Sequence, residues 1–165
     1  DPNPPTGGDV DNGPGFGNGN DTESFNLPTN GDDMTQLAPR EDEDNYWVDR
    51  EMFASETVYF DFDSSTVSPA EKPKLDTVAS YLKGEPTARL RVEGHCDERG
   101  TGEYNRALGE RRALSIRENL MALDIAGDRV STISYGEDKP AMFGSDETSW
   151  AKNRRGEFVL LTPKN

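Results

Sequence analysis

The chain has 165 residues, of which 32 are Asp or Glu and 18 are Lys or Arg, for a formal net charge of −14. Residues 1–56 carry 14 acidic residues and two arginines, whereas residues 57–165 carry 18 acidic and 16 basic residues. Neither part has the basic surface expected of a nucleic-acid-binding protein, so no nucleic-acid partner is predicted. Hydrophobic residues make up only 32% of the chain, which indicates that part of it does not fold.

The N-terminal residues 1–45 are interpreted as a disordered acidic tether. Asp, Asn, Gly and Pro supply 28 of these 45 residues. The segment therefore contains too little apolar surface for its burial to offset the conformational entropy lost on folding. Residues 46–56 form a transition segment with two interpretations left open, docking on the domain or a helical turn. The folded domain is predicted over residues 57–165. The chain begins at Asp1 rather than Met, so we expect a processed or trimmed product.

Four strands and two main helices are predicted in the domain. Alternating and β-branched residues predict strands over 57–62, 88–93, 129–135 and 156–161. Apolar residues at helical spacing predict helices over 69–84, with Ser68 as N-cap, and over 103–123, with a short helix around 149–153. The β-α-β-α-β-β order favours an α+β two-layer sandwich with a mixed four-stranded sheet.

Two polar residues fall within the apolar face of the second long helix. At 100° per residue, Asn105 and Arg112 lie on the same side as Leu108 and Ile116, whereas Arg111 points away. A buried guanidinium needs a carboxylate, backbone carbonyls or a ligand as its partner.

Two hypotheses for Arg112 remain open at this point. The first is a structural salt bridge from Arg112 to Asp97 or Asp63. The second is a cleft in which Arg112 and Asp97 together bind a zwitterion, with the Arg112 guanidinium holding a carboxylate by two parallel hydrogen bonds. Three glycines in the loop 94–102 would let backbone amides approach such a ligand closely.

Four segments of the domain resemble the OmpA-like peptidoglycan-binding family. They are VYFDFDSS (58–65), VEGHCDERGTGEYNRALGERRA (92–113), SYGEDKP (134–140) and NRRGEFVL (153–160). Together they span nearly all of residues 57–161, in the family's order and spacing. Within the family, GHCDERGT favours an outer-membrane lipoprotein over a barrel-attached or flagellar-stator wall anchor.

The resemblance implies a role for each matching residue. In the family, an aspartate after the second strand and an arginine in the following helix grip the diaminopimelate of the peptidoglycan stem peptide, and these positions are Asp97 and Arg112 here. The ligand-binding asparagine and aliphatic positions fall on Asn105 and Leu108. The residues expected to line the cleft are Phe62, Asp63, Ser64 and Arg154.

The resemblance also implies a non-enzymatic anchor between the outer membrane and the cell wall. Its expected partners are the peptidoglycan stem peptide and a TolB-like periplasmic protein, within a system for envelope integrity and cell division. An N-terminal lipid, whose cysteine this sequence does not contain, is expected to hold the protein at the periplasmic face of the outer membrane.

No cofactor and no metal site are predicted. His95, Cys96, Asp97 and Glu98 are adjacent ligand types, but neighbours on an extended segment point to opposite sides and do not converge on one ion. The alternative from a different class is a cell-wall hydrolase, with His95 as base and Ser64, Ser65 or Cys96 as nucleophile. The spacing of these residues supports no catalytic triad, so a binding protein is the preferred interpretation.

Overall fold

The computed structural model describes residues 43–165, so residues 1–42 of the predicted tether lie outside the described residues. The tether prediction is wrong for residues 43–45, which are ordered against the domain: Glu43 pairs with Arg91 at 2.6 Å, and the Asn45 carbonyl accepts a hydrogen bond from the Lys164 amide at 2.9 Å. The described part contains five strands and three α-helices. The strands are β1 (Tyr46–Asp49), β2 (Val58–Tyr59), β3 (Arg89–His95), β4 (Val130–Gly136) and β5 (Arg155–Pro163). The helices are α1 (Lys72–Gly84), α2 (Gly102–Ala122) and α3 (Glu147–Asn153). Short 3-10 turns occupy Glu43–Asn45, Ala54–Glu56 and Gly127–Arg129.

The last strand of the chain is the centre of the sheet. Strand β5 pairs antiparallel with β3 on one side, and with β2 and β1 on the other. Strands β3 and β4 pair in parallel, as expected for two strands joined by a helical crossover. The sheet is therefore mixed, with the order β1-β5-β3-β4 and β2 beside β5, and the predicted α+β fold is confirmed.

The sheet has one strand more than the sequence predicted. Residues 46–49 of the transition segment form β1, in which Val48 lies opposite Leu161 of β5. The strand is only four residues long and lies at the edge of the sheet, so its alternation is too short to be distinctive.

Helices α1 and α2 cover one face of the sheet and bury the main apolar core. The buried side chains of this core include Leu75 and Leu82 of α1, Ile116 and Leu120 of α2, Leu90 and Val92 of β3, and Phe158 and Leu160 of β5. The second long helix begins and ends within one residue of its predicted bounds, and Thr101 caps it by accepting a hydrogen bond from the Tyr104 amide.

Helix α2 contacts β3 through two glycines. A Cβ atom on Gly94 would lie 1.8 Å from the carbonyl oxygen of Gly109, and a Cβ on Gly109 would lie 2.2 Å from the Ser134 hydroxyl. Only glycine at both positions allows the helix to lie this close to the sheet. This contact sets the position of the first turns of α2 relative to the end of β3.

The first helix begins later than predicted. It starts at Lys72 after Glu71, because a helix that began at Pro69 would place Pro73 where its ring clashes with the carbonyl of Pro69. Residues 69–71 instead form a turn closed by a hydrogen bond of 3.0 Å from the Glu71 amide to the Ser68 carbonyl. The proline at position 73 lies in the first helical turn, where a missing N–H is harmless.

The first predicted strand, 57–62, is shorter in the structure. Only Val58 and Tyr59 pair with β5, and the chain then turns, with the Ser64 amide donating to the Asp61 carbonyl at 3.1 Å. This turn carries the 61–64 backbone towards α2. Within residues 43–165, no helix is long and apolar enough to cross a membrane.

Candidate ligand-binding site

A pocket of about 200 Å³ lies where the β3–α2 loop, the first turns of α2 and the turn after β2 meet. Its lining residues are Phe62, Asp63, Cys96, Asp97, Arg99, Gly100, Tyr104, Asn105, Leu108 and Arg112. The close approach of α2 to β3 at the two glycines brings these three elements together. The pocket is therefore a product of the tertiary packing rather than of one loop.

Arg112 forms the cationic side of the pocket and is only 1% exposed. Its Nε donates to the Ser64 carbonyl at 2.8 Å, its Nη1 to the His95 carbonyl at 2.9 Å and its Nη2 to the Asp61 carbonyl at 3.1 Å. These bonds tie the end of β3 and the turn after β2 to the helix. Burial lowers the pKa of Arg112 from its ordinary value, and the nearby charge of Asp97 acts in the opposite direction.

The salt-bridge hypothesis for Arg112 is wrong. The partners of its guanidinium are carbonyl oxygens, not the carboxylates of Asp97 or Asp63. Three of its five N–H groups are used in this way, which holds the side chain in one orientation without neutralising its charge.

Asp97 forms the anionic side of the pocket and is 5% exposed. Its carboxylate accepts hydrogen bonds from the Arg99 amide at 3.0 Å, from Arg99 Nε at 3.2 Å and from Arg99 Nη2 at 2.8 Å. Arg154 Nη1 lies 3.6 Å from the same carboxylate. Burial would raise the pKa of Asp97, but the hydrogen bonds and charge of Arg99, aided by Arg154, outweigh burial and lower it. Asp97 is therefore ionised at neutral pH.

Asn105 and Leu108 connect the two charged sides. The Asn105 side-chain amide donates to the Asp97 carbonyl at 3.3 Å, and the Cys96 thiol donates to the Asn105 carbonyl at 3.1 Å. Burial raises the pKa of Cys96 to about 11, so the thiol is neutral and serves as a small buried group. Leu108 adds an apolar wall, as predicted from its place on the helix.

An aromatic and arginine stack forms the rim of the pocket. The Arg99 guanidinium lies 4.0 Å from the centre of the Phe62 ring and 4.1 Å from that of the Trp150 ring, between the two. Tyr104 donates a hydrogen bond from its hydroxyl to the Asp63 carboxylate. The stack joins the turn after β2, the β3–α2 loop and helix α3.

Most of the predicted site residues meet in this pocket. Asp97, Asn105, Leu108, Arg112, Phe62 and Asp63 all line it. Ser64 does not line it but supports it by accepting the hydrogen bond from Arg112. Arg154 also lies behind the lining, where its guanidinium donates to the Phe60 carbonyl and to Glu147.

Three residues of the site, Arg99, Tyr104 and Trp150, were not predicted from the sequence. Arg99 lies two residues after Asp97, and this proximity was the one feature of the sequence that could have indicated a contact between them. Trp150 is separated from Arg99 by a strand and a helix, so nothing in the local pattern connects them.

The chain matches the OmpA family over residues 59–154. It is 40% identical over 126 residues to a peptidoglycan-associated lipoprotein of Legionella pneumophila, covering 76% of this chain and 70% of that protein. It is 48% identical over 99 residues to a peptidoglycan-associated lipoprotein of Pasteurella multocida, covering 60% of this chain and 66% of that one.

The chain is also similar to a solved structure. The crystal structure of the peptidoglycan-associated lipoprotein from Burkholderia pseudomallei is 43% identical, with a TM-score of 0.62, and covers 63% of this chain and 88% of that chain. The fold is that of a small α+β domain. The chain belongs to the OmpA family.

Proposed function

We propose that this protein binds the peptidoglycan stem peptide non-covalently through its diaminopimelate residue. The observation that carries the proposal is one pocket with a buried cation, Arg112, on one side and a buried anion, Asp97, on the other. The similarity to proteins named peptidoglycan-associated lipoprotein supports the same class of ligand.

The two charges match the free end of a diaminopimelate side chain, which carries one carboxylate and one ammonium on the same carbon. Two N–H groups of Arg112 remain for a carboxylate after its three carbonyl bonds. Asp97 accepts the ammonium, and Asn105 with the loop amides binds the peptide backbone. Leu108 contacts the aliphatic part of the side chain.

Ligand binding at Asp97 requires an exchange of cations. Arg99 holds both oxygens of the Asp97 carboxylate in the ligand-free protein. The Arg99 side chain is 32% exposed, so its guanidinium can turn towards solvent while the ligand ammonium takes its place. This exchange favours ligands that bring their own cation.

We further propose that the protein anchors the outer membrane to the cell wall from its periplasmic face, within a Tol–Pal type system. In this proposal an N-terminal lipid holds the chain in the membrane, residues 1–42 span the gap, and a TolB-like protein is a second partner. If these 42 residues behave as a flexible coil, their root-mean-square reach is about 35 Å, enough for the domain to move between membrane and wall.

Co-sedimentation with purified peptidoglycan that contains diaminopimelate tests the proposal. The wild-type protein is expected in the pellet, and Asp97→Asn in the supernatant, since a lost charged hydrogen bond weakens binding by roughly tenfold or more. Asp76→Asn, on the exposed side of α1, is the matched control and should sediment like wild type. Wild-type protein that stays in the supernatant would refute wall binding.

The same incubation separates a binder from a hydrolase. The muropeptide profile of the peptidoglycan should be the same before and after incubation. New fragments that accumulate with time would show catalysis and contradict a purely non-covalent role.

A further inference from the structure

The sheet face opposite α1 and α2 carries a group of metal-ligating side chains, of which Glu93 and His95 are buried and Glu157 is half-buried. Glu93 and His95 are two residues apart on β3 and therefore point to the same face. Glu157 lies directly opposite Glu93 on β5. The strand register thus brings together three side chains, one of which, Glu157, is far from the other two in the sequence.

The three side chains are close enough to share one ion. One ligand atom from each of Glu93, His95 and Glu157 lies within 4.8 Å of the others. His95 Nε2 is 3.7 Å from Glu157 Oε2. Ligands of a tetrahedral ion lie roughly 2.0–2.2 Å from it, so side-chain shifts of about 1 Å would complete the site.

His95 lacks hydrogen-bond partners at both ring nitrogens. The side chain is 1% exposed, and neither Nδ1 nor Nε2 has a partner among the described residues. Its one ring contact is a stack on Tyr135 at 5.5 Å. A buried nitrogen without a partner destabilises a fold, so such a group needs an explanation such as a bound ion.

The surrounding arginines leave room for a cation once one of them moves. Arg155 Nε holds Oε1 of Glu157 at 2.8 Å, which leaves Oε2 facing His95. Arg50 holds both oxygens of Glu93, from Nη1 to Oε1 at 2.7 Å and from Nη2 to Oε2 at 3.4 Å, but its side chain is 49% exposed and can turn to solvent. Arg91 lies 3.7 Å from Glu93 and is also paired with Glu43 at 2.6 Å.

We propose that Glu93, His95 and Glu157 form a binding site for a divalent transition metal such as Zn²⁺. A ring nitrogen with two carboxylate oxygens and one water would give the four-coordinate N/O set that Zn²⁺ accepts. The ion takes the place of the Arg50 guanidinium on Glu93. The site lies on the face of the sheet opposite the helices and is independent of the proposed wall-binding function.

The test uses the full chain, freed of metal, and follows the imidazole NMR signals during titration with Zn²⁺. His95 is the single histidine, so its signals are unambiguous and are insensitive to ions held by the acidic residues 1–45. Saturable shifts of these signals, together with a Zn²⁺-dependent rise in Tm, are expected. Unchanged imidazole signals at excess Zn²⁺ would overturn the proposal.

Two variants test which side chains coordinate the ion while keeping the histidine signals that report binding. Glu157→Gln should weaken Zn²⁺ binding by roughly tenfold or more, whereas Glu118→Gln, at an exposed glutamate on α2, should not change it. Arg50→Gln removes the competing cation and should tighten binding. Equal affinity in wild type and Glu157→Gln, or weaker binding in Arg50→Gln, would contradict the proposed coordination.

Discussion

Arg112 has a structural role and, in the proposed function, a binding role as well. Its three hydrogen bonds to backbone carbonyls fix the turn after β2 and the end of β3 around the pocket. The guanidinium keeps its positive charge and lines the pocket opposite the Asp97 carboxylate. The same side chain therefore builds the site and supplies its positive charge.

Arg112→Met is expected to lower the free energy of unfolding by about 3 kcal/mol or more, because it leaves three buried carbonyls without donors. Arg106→Met is the matched control, since Arg106 is 72% exposed and its change should stay within about 0.5 kcal/mol. Urea denaturation of both variants measures the difference. Equal stability would mean that the carbonyls find other donors.

Arg99→Gln is expected to bind the stem peptide more tightly than wild type. The substitution removes the cation that holds Asp97 in the ligand-free protein, a contact of about 1 kcal/mol or roughly fivefold in affinity. Calorimetric titration measures the effect. Weaker binding would show that Arg99 orients Asp97 for the ligand instead of competing with it.

At the scale of elements, the position of α2 on the sheet depends on Gly94 and Gly109. Gly94→Ala would place a Cβ 1.8 Å from the backbone oxygen of Gly109, where no flexible side chain can yield. We expect a loss of about 3 kcal/mol in the free energy of unfolding, at the upper end of the range for overpacking.

Gly84→Ala is the control for this prediction, because a Cβ at Gly84 meets nothing within 4 Å. Denaturant unfolding should show little change for it. A Gly94→Ala protein as stable as the Gly84→Ala protein would mean that α2 can move away from β3 without loss.

The sequence predicted most elements of the fold because their patterns are local. The apolar face of α2 and the alternation of β3 and β4 depend on residues within one segment. The predicted start of α1 was wrong because the N-cap pattern at Ser68 takes no account of the second proline, Pro73. Strand β1 was not predicted, since four edge residues contain too little alternation.

The site was predictable where a residue broke its own pattern. Asn105 and Arg112 are polar residues on an apolar helix face, and this mismatch marks them from the sequence alone as candidates for the pocket that they line. Arg99 and Trp150 break no pattern, because their role arises from stacking between distant elements. The group of Glu93, His95 and Glu157 depends on strand register, which the sequence alone did not provide.

At the scale of the whole molecule, stability should depend on pH through the single histidine. Burial lowers the pKa of His95 from 6.5 to about 3, with Arg155, Lys139 and Arg50 acting in the same direction and Glu93 against them. The unfolded chain therefore binds a proton below about pH 6.5 that the folded protein does not. Stability falls as the pH drops from 6.5 towards 3.

Between pH 6.5 and pH 5 the expected loss in the free energy of unfolding is about 2 kcal/mol. Urea denaturation in metal-free buffer at several pH values measures it. His95→Gln should flatten the dependence in this range, where the carboxylates are not yet protonated. An equal slope in the variant would assign the effect to other groups.

The central claim, a pocket that recognises diaminopimelate by its two charges, is tested most directly by calorimetric titration of the full chain. The ligands are a stem peptide that contains diaminopimelate and the same peptide with lysine in its place. Lysine lacks the second carboxylate, so Arg112 would have no anion to hold. We expect saturable binding of the first peptide and an affinity for the second that is lower by roughly tenfold or more. Equal affinity for the two peptides, or no binding by the folded protein, would contradict the claim.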